Sequence, residues 1–279
     1  MGSYAISLYP ILKAIKGMGG IIPVNEKQTR FVEKYLAFDD LPHIPELQVW
    51  VSGNADELNQ MLAGHGFQSQ FPVFEDDQFG ILSLLELALQ WLQVGETRTI
   101  DAQNGKEYDG VYLCNPYAGT SILVAGNRQH PHETVSWQTR DNSMIVSVSI
   151  ADKPLLGLML FDYVSMICVD YSAFLSLKYS GVVFPRVSLH CIEDMKWVVD
   201  MQVGHNRVAQ ATQENIVKMD EYGMEVKSAT EITMTAMGAP AVGREPQPYI
   251  IDRPFYLWLS RVGCKLPLLV AYVDYNSWC

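Results

Sequence analysis

The spacing of apolar residues predicts helices in the first part of the chain. Apolar residues recur every three or four positions over residues 4–17 and again over 26–37, which is the spacing of an amphipathic helix. Pro10 should kink the first of these helices or mark its start, because proline lacks the N–H that an interior position needs. A further helix is predicted after Asn54, a favoured N-cap residue, and residues 78–94 give the strongest helix signal in the chain.

The pattern changes to alternation later in the chain, which predicts strands. Residues 47–52 already alternate, and residues 97–114 form a hairpin pattern with Asn104-Gly105 at its turn. The continuous apolar run over 155–169 predicts a buried pair of strands, and residues 192–204 predict a short helix. Further strands are predicted over residues 119–125, 133–138, 143–150 and 182–191. These elements predict one α+β domain over residues 1–279, with a mixed or antiparallel central sheet.

Composition and charge exclude several kinds of partner. The formal net charge is −11 and no basic run of five or more residues occurs, so we expect neither nucleic acid nor a membrane surface as a partner. The five cysteines are scattered without metal-site spacing, which favours free thiols over a disulfide framework or a zinc ribbon. No signal peptide is visible, which leaves a cytoplasmic protein or a secreted one whose signal has been removed.

The last third of the chain carries the most informative pattern. A predicted strand with an acidic turn, residues 216–230, leads into about twenty residues rich in Ala, Gly, Pro, Thr and Met. A hydrophobic strand then opens at Asp252-Arg253-Pro254-Phe255. A long loop held between two strands is uncommon in a compact domain and is usually functional.

Five stretches in this region resemble the serpin family when they are taken in order. They are Val183–Val187, Glu193–Gly204, Met219–Glu225, Asp252–Leu257 and Pro267–Val273, and together they span roughly residues 180–279. The resemblance implies a serpin-like fold, with helices, a large central sheet, smaller sheets and an exposed reactive-centre-like loop. The chain is shorter than a full-length serpin, and the family's "NAIYFKGxW" strand is not found, so it resembles a shortened and divergent member.

The resemblance also implies a function, the inhibition of a serine or cysteine protease by suicide-substrate trapping. The bait loop would cover about residues 224–249, with Glu221, Gly223, Met224 and Glu225 as its hinge. After cleavage such a loop inserts into the central sheet as an extra strand. The segment alternates as insertion requires, with one set of residues facing inward (Met224, Val226, Ser228, Thr230) and the other outward (Glu225, Lys227, Ala229, Glu231). The bulk of Met224, Val226 and Lys227, where inhibitory members favour small residues, is expected to slow insertion.

The family's usual loop spacing places the bond to be cut between Met237 and Gly238. A methionine there suits a chymotrypsin-like or elastase-like protease, which is therefore the expected partner. Arg244 is the alternative position, where a trypsin-like protease would cut. We expect a monomer.

Two other classes of function stay open on the sequence. The first is a non-inhibitory serpin-like binding or scaffold protein whose loop does not insert. The second is an enzyme that uses a metal at His130-Pro131-His132-Glu133, since imidazole and carboxylate groups are zinc ligands. No nucleophile elbow, P-loop or dinucleotide-binding motif occurs, so the chain is expected to be no enzyme and to need neither cofactor nor metal.

Overall fold

The computed structural model describes most of the chain, in residues 2–36, 42–75, 78–114, 122–127, 130–140, 143–169, 174–175, 179–226, 247–261 and 263–279. The helices in these ranges are α1 (Leu8–Lys16), α2 (Glu26–Phe31), which continues as a π-helical turn (Val32–Leu36), α3 (Ala55–Gly64) and α4 (Gly157–Val169), with a 3-10 turn at Tyr275–Ser277. The strands are β1 (Tyr4–Ile6), β2 (Ile21–Ile22), β3 (Leu47–Ser52), β4 (Gly80–Leu85), β5 (Leu87–Gln90), β6 (Glu96–Asp101), β7 (Glu107–Cys114), β8 (Leu123–Asn127), β9 (His130–Gln138), β10 (Met144–Ile150), β11 (Phe174–Leu175), β12 (Gly181–Pro185), β13 (Val187–Asp194), β14 (Gln202–Val203), β15 (Asn206–Arg207), β16 (Thr212–Met219), β17 (Gly223–Val226), β18 (Tyr249–Ile250), β19 (Phe255–Arg261) and β20 (Leu269–Val273).

These elements group into two compact units. Unit 1 contains Met1–Ile6, Leu87–His190 and Ile216–Cys279, and unit 2 contains Ser7–Glu86 and Cys191–Asn215. The prediction of one domain over the whole chain stays a prediction. No helix in the described ranges is long and apolar enough to span a bilayer.

Unit 1 is built mainly from sheets. Its largest sheet has the strand order β1-β20-β19-β10-β9-β8-β11, and each of these pairings is antiparallel. A second sheet has the order β18-β12-β7-β6, in which β18 runs parallel to β12. The central strands are buried on both faces, and Val146, Val148 and Leu257 have no exposed surface. Burial of this kind is the dominant favourable term in folding.

A third sheet, with the order β13-β16-β17-β5, contains the segment in which the sequence places the hinge. Strand β17 is antiparallel to both of its neighbours, β16 and β5. This sheet therefore holds the described part of the predicted bait loop, residues 224–226.

Unit 2 carries most of the helices. A small apolar core joins α3 to the β3–β4 hairpin through Leu58, Leu62, Leu82 and Leu84, and Trp50 packs against it. Asn54 caps α3 as predicted, because its side chain accepts a hydrogen bond from the backbone N–H of Asp56. Pro10 lies in the first turn of α1, where its missing N–H costs no hydrogen bond.

Three predicted elements are wrong, and the helix predicted over residues 4–17 begins only at Leu8, because Tyr4–Ile6 form β1. Residues 78–94 form the strands β4 and β5 and no helix, and alternate residues of β4, including Leu82 and Leu84, are buried. Residues 155–169 contain the helix α4, which is apolar around most of its circumference and so shows little periodicity. Residues 192–204 continue β13 and then form turns and β14, with Gly204 at a positive φ of 61°.

The strands predicted over residues 47–52, 133–138, 143–150 and 182–191 are confirmed, as is the hairpin at Asn104-Gly105, while the strand predicted over 119–125 lies partly outside the described residues. Gly105 has a φ of 78°, which favours glycine, and the Asn104 side chain accepts a hydrogen bond from the N–H of Lys106. Cys114, Cys191, Cys264 and Cys279 are free thiols, and Cys114 and Cys279 are exposed. The predicted α+β class is confirmed.

Candidate functional site

A tight turn between β16 and β17 contains the first of the predicted hinge residues. The Asp220 carboxylate Oδ1 accepts hydrogen bonds from the backbone N–H groups of Tyr222, at 2.8 Å, and Gly223, at 3.1 Å. The N–H of Asp220 in turn donates to the carbonyl of Gly223 at 3.0 Å. Aspartate favours this arrangement because its short side chain can bond to backbone groups two residues ahead. The turn reverses the chain and directs β17 back along β16.

Strand β17 lies between β16 and β5, so the first residues of the predicted bait loop, 224–226, are part of the sheet. Met224 is opposite Met219 on one side and Leu89 on the other, and it has no exposed surface. Met219 and Leu89 are also buried. Neighbouring side chains on the same face of a sheet pack against one another. Met224 therefore fills the inward position that the alternation predicts for it.

Gly223 approaches the backbone of β5 closely. A Cβ atom at this position would lie 1.8 Å from the carbonyl oxygen of Leu89 and 3.1 Å from the Cα of Gln90. A side chain therefore cannot fit there unless the two strands separate. Only glycine fits between the two strands at this position, which explains why β17 starts with Gly223.

An ion pair holds Glu221, which lies in the turn between Asp220 and Tyr222. The Nη2 of Arg186 lies 2.8 Å from the Oε1 of Glu221, and both side chains are more than two-thirds buried. Arg186 also lies near Asp109, with 3.5 Å between Nη1 and Oδ2. The carbonyl of Glu221 accepts a hydrogen bond from the N–H of Gly95 at 2.7 Å. The turn is therefore held through both the side chain and the backbone of Glu221.

Trp91 holds the same turn from the end of β5. Its indole Nε1 donates to the carbonyl of Asp220 at 2.7 Å, and its backbone N–H donates to the carbonyl of Tyr222 at 3.1 Å. The ring packs edge-on against Trp137 and Phe184, with centroid separations of 5.7 and 6.0 Å. A buried tryptophan usually finds a partner for its N–H, and here that partner is the hinge turn.

The structure brings the four predicted hinge residues, Glu221, Gly223, Met224 and Glu225, together in this turn and strand. The predicted scissile residues Met237 and Gly238, and the alternative Arg244, lie outside the described residues.

Sequence reasoning missed Arg186 and Trp91 as partners of the turn that carries the predicted hinge residues. Arg186 lies inside one of the stretches that resemble serpins, which is the signal that could have identified it. For Trp91 no sequence pattern gives such a signal, since nothing in the residue spacing connects it with Asp220.

The sequence His130-Pro131-His132-Glu133 lies at the start of β9 and forms no metal site. His130 is buried, with Nδ1 2.8 Å from Tyr163 Oη and Nε2 2.8 Å from Ser149 Oγ. Because Ser149 Oγ donates to the carbonyl of Glu133, Nε2 carries the proton and Nδ1 accepts from Tyr163. Burial, and then the neighbouring His132, lower the pKa of His130. The described residues contain no group of three or more His, Cys, Asp or Glu placed to hold a metal ion.

Comparison with known proteins gives the fold and no closer relationship. No protein-family model and no curated protein sequence matches the chain. Serpin48 of the insect Tenebrio molitor aligns over 98% of this chain and 92% of its own, with 12% identity and a TM-score of 0.60. Human thyroxine-binding globulin in complex with thyroxine aligns over 97% and 91%, with 11% identity and a TM-score of 0.56. Manduca sexta serine protease inhibitor (serpin)-12 aligns over 98% and 93%, with 11% identity and a TM-score of 0.54. The chain therefore has a serpin-like α+β fold.

Proposed function

We propose that the chain inhibits a serine or cysteine protease by presenting residues of about 224–249 as a bait loop. The observation that carries the proposal is the position of β17 between β16 and β5, with Met224 fully buried. The sheet accepts the first residues of the loop at the place where an inserted strand would begin. The serpin-like fold and the name of the Manduca protein as a serine protease inhibitor are consistent with this role.

The sequence favours insertion of the residues that follow β17. Continuing the alternation places Ser228 and Thr230 inward and Lys227 and Glu231 outward. The inward residues are small and uncharged, so extension of the strand buries no charge, and each added residue gains backbone hydrogen bonds. Met224 is buried in β17, so its side chain stabilises the seated strand, and the slow insertion expected from the bulk of Met224, Val226 and Lys227 stays a prediction. Burying a methionine side chain contributes about 1.5–3 kcal/mol.

The trapping reaction that we propose uses the catalytic groups of the protease. The nucleophilic oxygen or sulfur of the protease attacks the carbonyl carbon of Met237, and the bond to the nitrogen of Gly238 breaks. Gly238 leaves as an amine that takes its proton from the general acid of the protease, and Met237 stays attached as an acyl group. Insertion must then carry the acyl-enzyme away before water hydrolyses it.

Incubation with chymotrypsin, elastase, trypsin and a papain-like protease tests the proposal. A denaturing gel should show a band at the summed mass with chymotrypsin or elastase. Mass spectrometry of the released C-terminal fragment should place the cut after Met237. Active-site-blocked protease is the control and should give no band. Cleavage within 227–249 without a summed-mass band for any of the four proteases would contradict inhibition.

The second candidate is a binding protein that keeps the fold and whose loop does not insert further. It is favoured by the contacts that hold the hinge before any cleavage, from Arg186 to Glu221 and from Trp91 to Asp220. A serpin-like fold serves a binding role in thyroxine-binding globulin, as that protein's name states. Loop cleavage without a covalent complex is the result that this candidate predicts.

A further inference from the structure

A chain of hydrogen bonds through His130 links α4 to the largest sheet of unit 1. The Nδ1 of His130, at the start of β9, accepts from the hydroxyl of Tyr163, on α4, at 2.8 Å. Its Nε2 donates to Ser149 Oγ, on β10, at 2.8 Å, and that hydroxyl donates to the carbonyl of Glu133 at 2.9 Å. A neutral imidazole fits this chain, because each donor meets one acceptor.

Apolar contacts hold the rest of α4. The helix packs against β20 and β1, and its inner face is almost fully buried, at Leu160, Phe161, Val164 and Ile167. Contacts between apolar side chains do not depend on pH. The hydrogen bond from Tyr163 is therefore a part of the attachment that a proton can change.

The groups that face His130 come from four parts of unit 1. The ring of His132, on β9, has its centroid 5.6 Å away, and that of Tyr256, on β19, 6.1 Å away. Asp152, in the segment after β10, lies 2.6 Å from Nε2 of His132. Burial and then His132 lower the pKa of His130, while Asp152 acts in the opposite direction. Burial raises the pKa of both Tyr163, on α4, and Tyr256, so their hydroxyls keep their protons in mild acid.

A proton added to the imidazole at Nδ1 reverses the direction of the bond to α4. Nδ1 then donates and faces a hydroxyl that is itself donating, so the bond from Tyr163 is lost. Two neighbouring groups are already engaged, since the Tyr256 hydroxyl donates to the carbonyl of Lys153 and the Glu133 carboxylate accepts from Tyr179. A charge on the buried imidazole is also unfavourable until water reaches it. Protonation therefore favours a state in which α4 has moved away from the imidazole.

We propose that the hydrogen bond between Tyr163 and His130 is an acid-sensitive latch, which holds α4 on the sheet at neutral pH and releases it in mild acid. The chemical change is the uptake of one proton from solvent at Nδ1. The released state is a loosened helix in a folded protein. The latch lies within unit 1 and does not rest on the proposed protease inhibition.

Hydrogen exchange of peptides from α4 tests the latch. Rates at pH 7.5 and 5.0 are each corrected for the intrinsic exchange rate at that pH. Released His130 regains the ordinary pKa of 6.5, whereas latched His130 has a lower one, so acid favours release by as much as about thirtyfold at pH 5.0. We expect the corrected rate of α4 to rise at least about threefold and that of the β6–β7 hairpin to stay constant. Equal corrected rates of α4 at both pH values would overturn the proposal.

His130→Gln removes the titration and keeps the hydrogen bonds. The amide oxygen of glutamine can accept from Tyr163, and its NH₂ group can donate to Ser149. We expect α4 of this variant to exchange at the same corrected rate at both pH values. His205→Gln, at an exposed site, is the matched control and should respond to acid as the wild type does. A full acid response in His130→Gln would overturn the assignment of the latch to His130.

NMR of the wild-type protein keeps the test falsifiable should that variant not fold. With ¹³C labels on histidine and tyrosine, the signals of His130 and Tyr163 should change together, with one midpoint below pH 6.5. A Tyr163 signal that stays constant between pH 7.5 and 4.5 would overturn the latch.

Discussion

Arg186 and Glu221 form an ion pair of 2.8 Å that joins the residue before β13 to the turn before β17. Thirty-five residues separate them in the sequence, and both side chains are mostly buried. The backbone of Arg186 is held as well, since its N–H donates to the carbonyl of Asp109. The backbone of Arg186 is thus bonded to β7, and its ion pair with Glu221 restrains the turn before β17.

Removing the charge of Glu221 should loosen the hinge. We expect Glu221→Gln to speed hydrogen exchange over residues 219–226, because a partly buried pair loses its Coulombic attraction. A double-mutant cycle with Arg186→Gln should give a coupling energy of about 1 kcal/mol. Asp200→Asn removes a charge from the exposed pair with Arg207 and is the control, for which we expect no effect at the hinge. A coupling energy near zero would mean that the ion pair does not hold the turn.

A charge at position 224 should prevent seating of the hinge. In Met224→Arg an unpaired guanidinium would replace a fully buried side chain, and burying such a charge costs several kcal/mol. The variant should still be cleaved in the loop, but the yield of covalent complex should fall by at least about tenfold. Met159→Arg, at an exposed site on α4, is the matched control and should trap normally. Normal trapping by Met224→Arg would show that seating of β17 is not required.

A methyl group at position 223 should separate β17 from β5. The Cβ of Gly223→Ala would collide with the carbonyl oxygen of Leu89, so the strands must move apart. We expect hydrogen exchange over β17 to rise by at least about tenfold, the effect of losing hydrogen bonds worth more than 1.4 kcal/mol. Gly53→Ala introduces the same group where no atom lies within 4 Å and should leave exchange unchanged. Equal exchange in both variants would contradict the close approach.

Stability should fall in mild acid because of His130. Burial and the nearby His132 lower its pKa below the ordinary value of 6.5, while Asp152 acts in the opposite direction. The unfolded chain therefore binds a proton at a higher pH than the folded chain does. The contribution to the free energy of unfolding is complete above pH 6.5 and is lost as the pH falls toward the folded pKa.

Urea unfolding at pH 7.5 and 5.5 measures this effect. His130→Gln should lose less stability over this interval than the wild type does. His43→Gln, at an exposed site, should behave like the wild type. An equal change in stability between pH 7.5 and 5.5 in all three proteins would contradict the assignment to His130.

Local patterns in the sequence predict the elements whose residues alternate or whose turns have distinctive chemistry. The hairpin at Asn104-Gly105 and the acidic turn at Asp220 are both found in the structure, because their turn residues bond to nearby backbone groups. The prediction of a helix over residues 78–94 was wrong because an apolar run fits a helix and a buried strand equally well. Glu86 separates two strands there. The prediction of two strands over residues 155–169, which contain α4, was wrong because a helix that is apolar on most sides shows no helical periodicity.

The sequence predicts only those residues of the candidate site that are adjacent along the chain. Glu221 to Glu225 form one stretch of sequence, and their order carries the resemblance to serpins. The contacts of this stretch with Arg186 and Trp91 depend on strand order, which brings β5 next to β17 although more than 130 residues separate them. The spacing of residues along the chain does not indicate which strands pair when they are so far apart in the sequence.

The stability of the loop-cleaved protein tests the central claim most directly. The protein is cut once within residues 227–249, the protease is removed, and the midpoint of thermal unfolding is compared with that of the intact protein. Insertion behind β17 should raise the midpoint by roughly 10 °C, the effect of burying the inward residues and pairing their backbone. A midpoint that is unchanged or lower after complete cleavage would show that the freed loop does not insert.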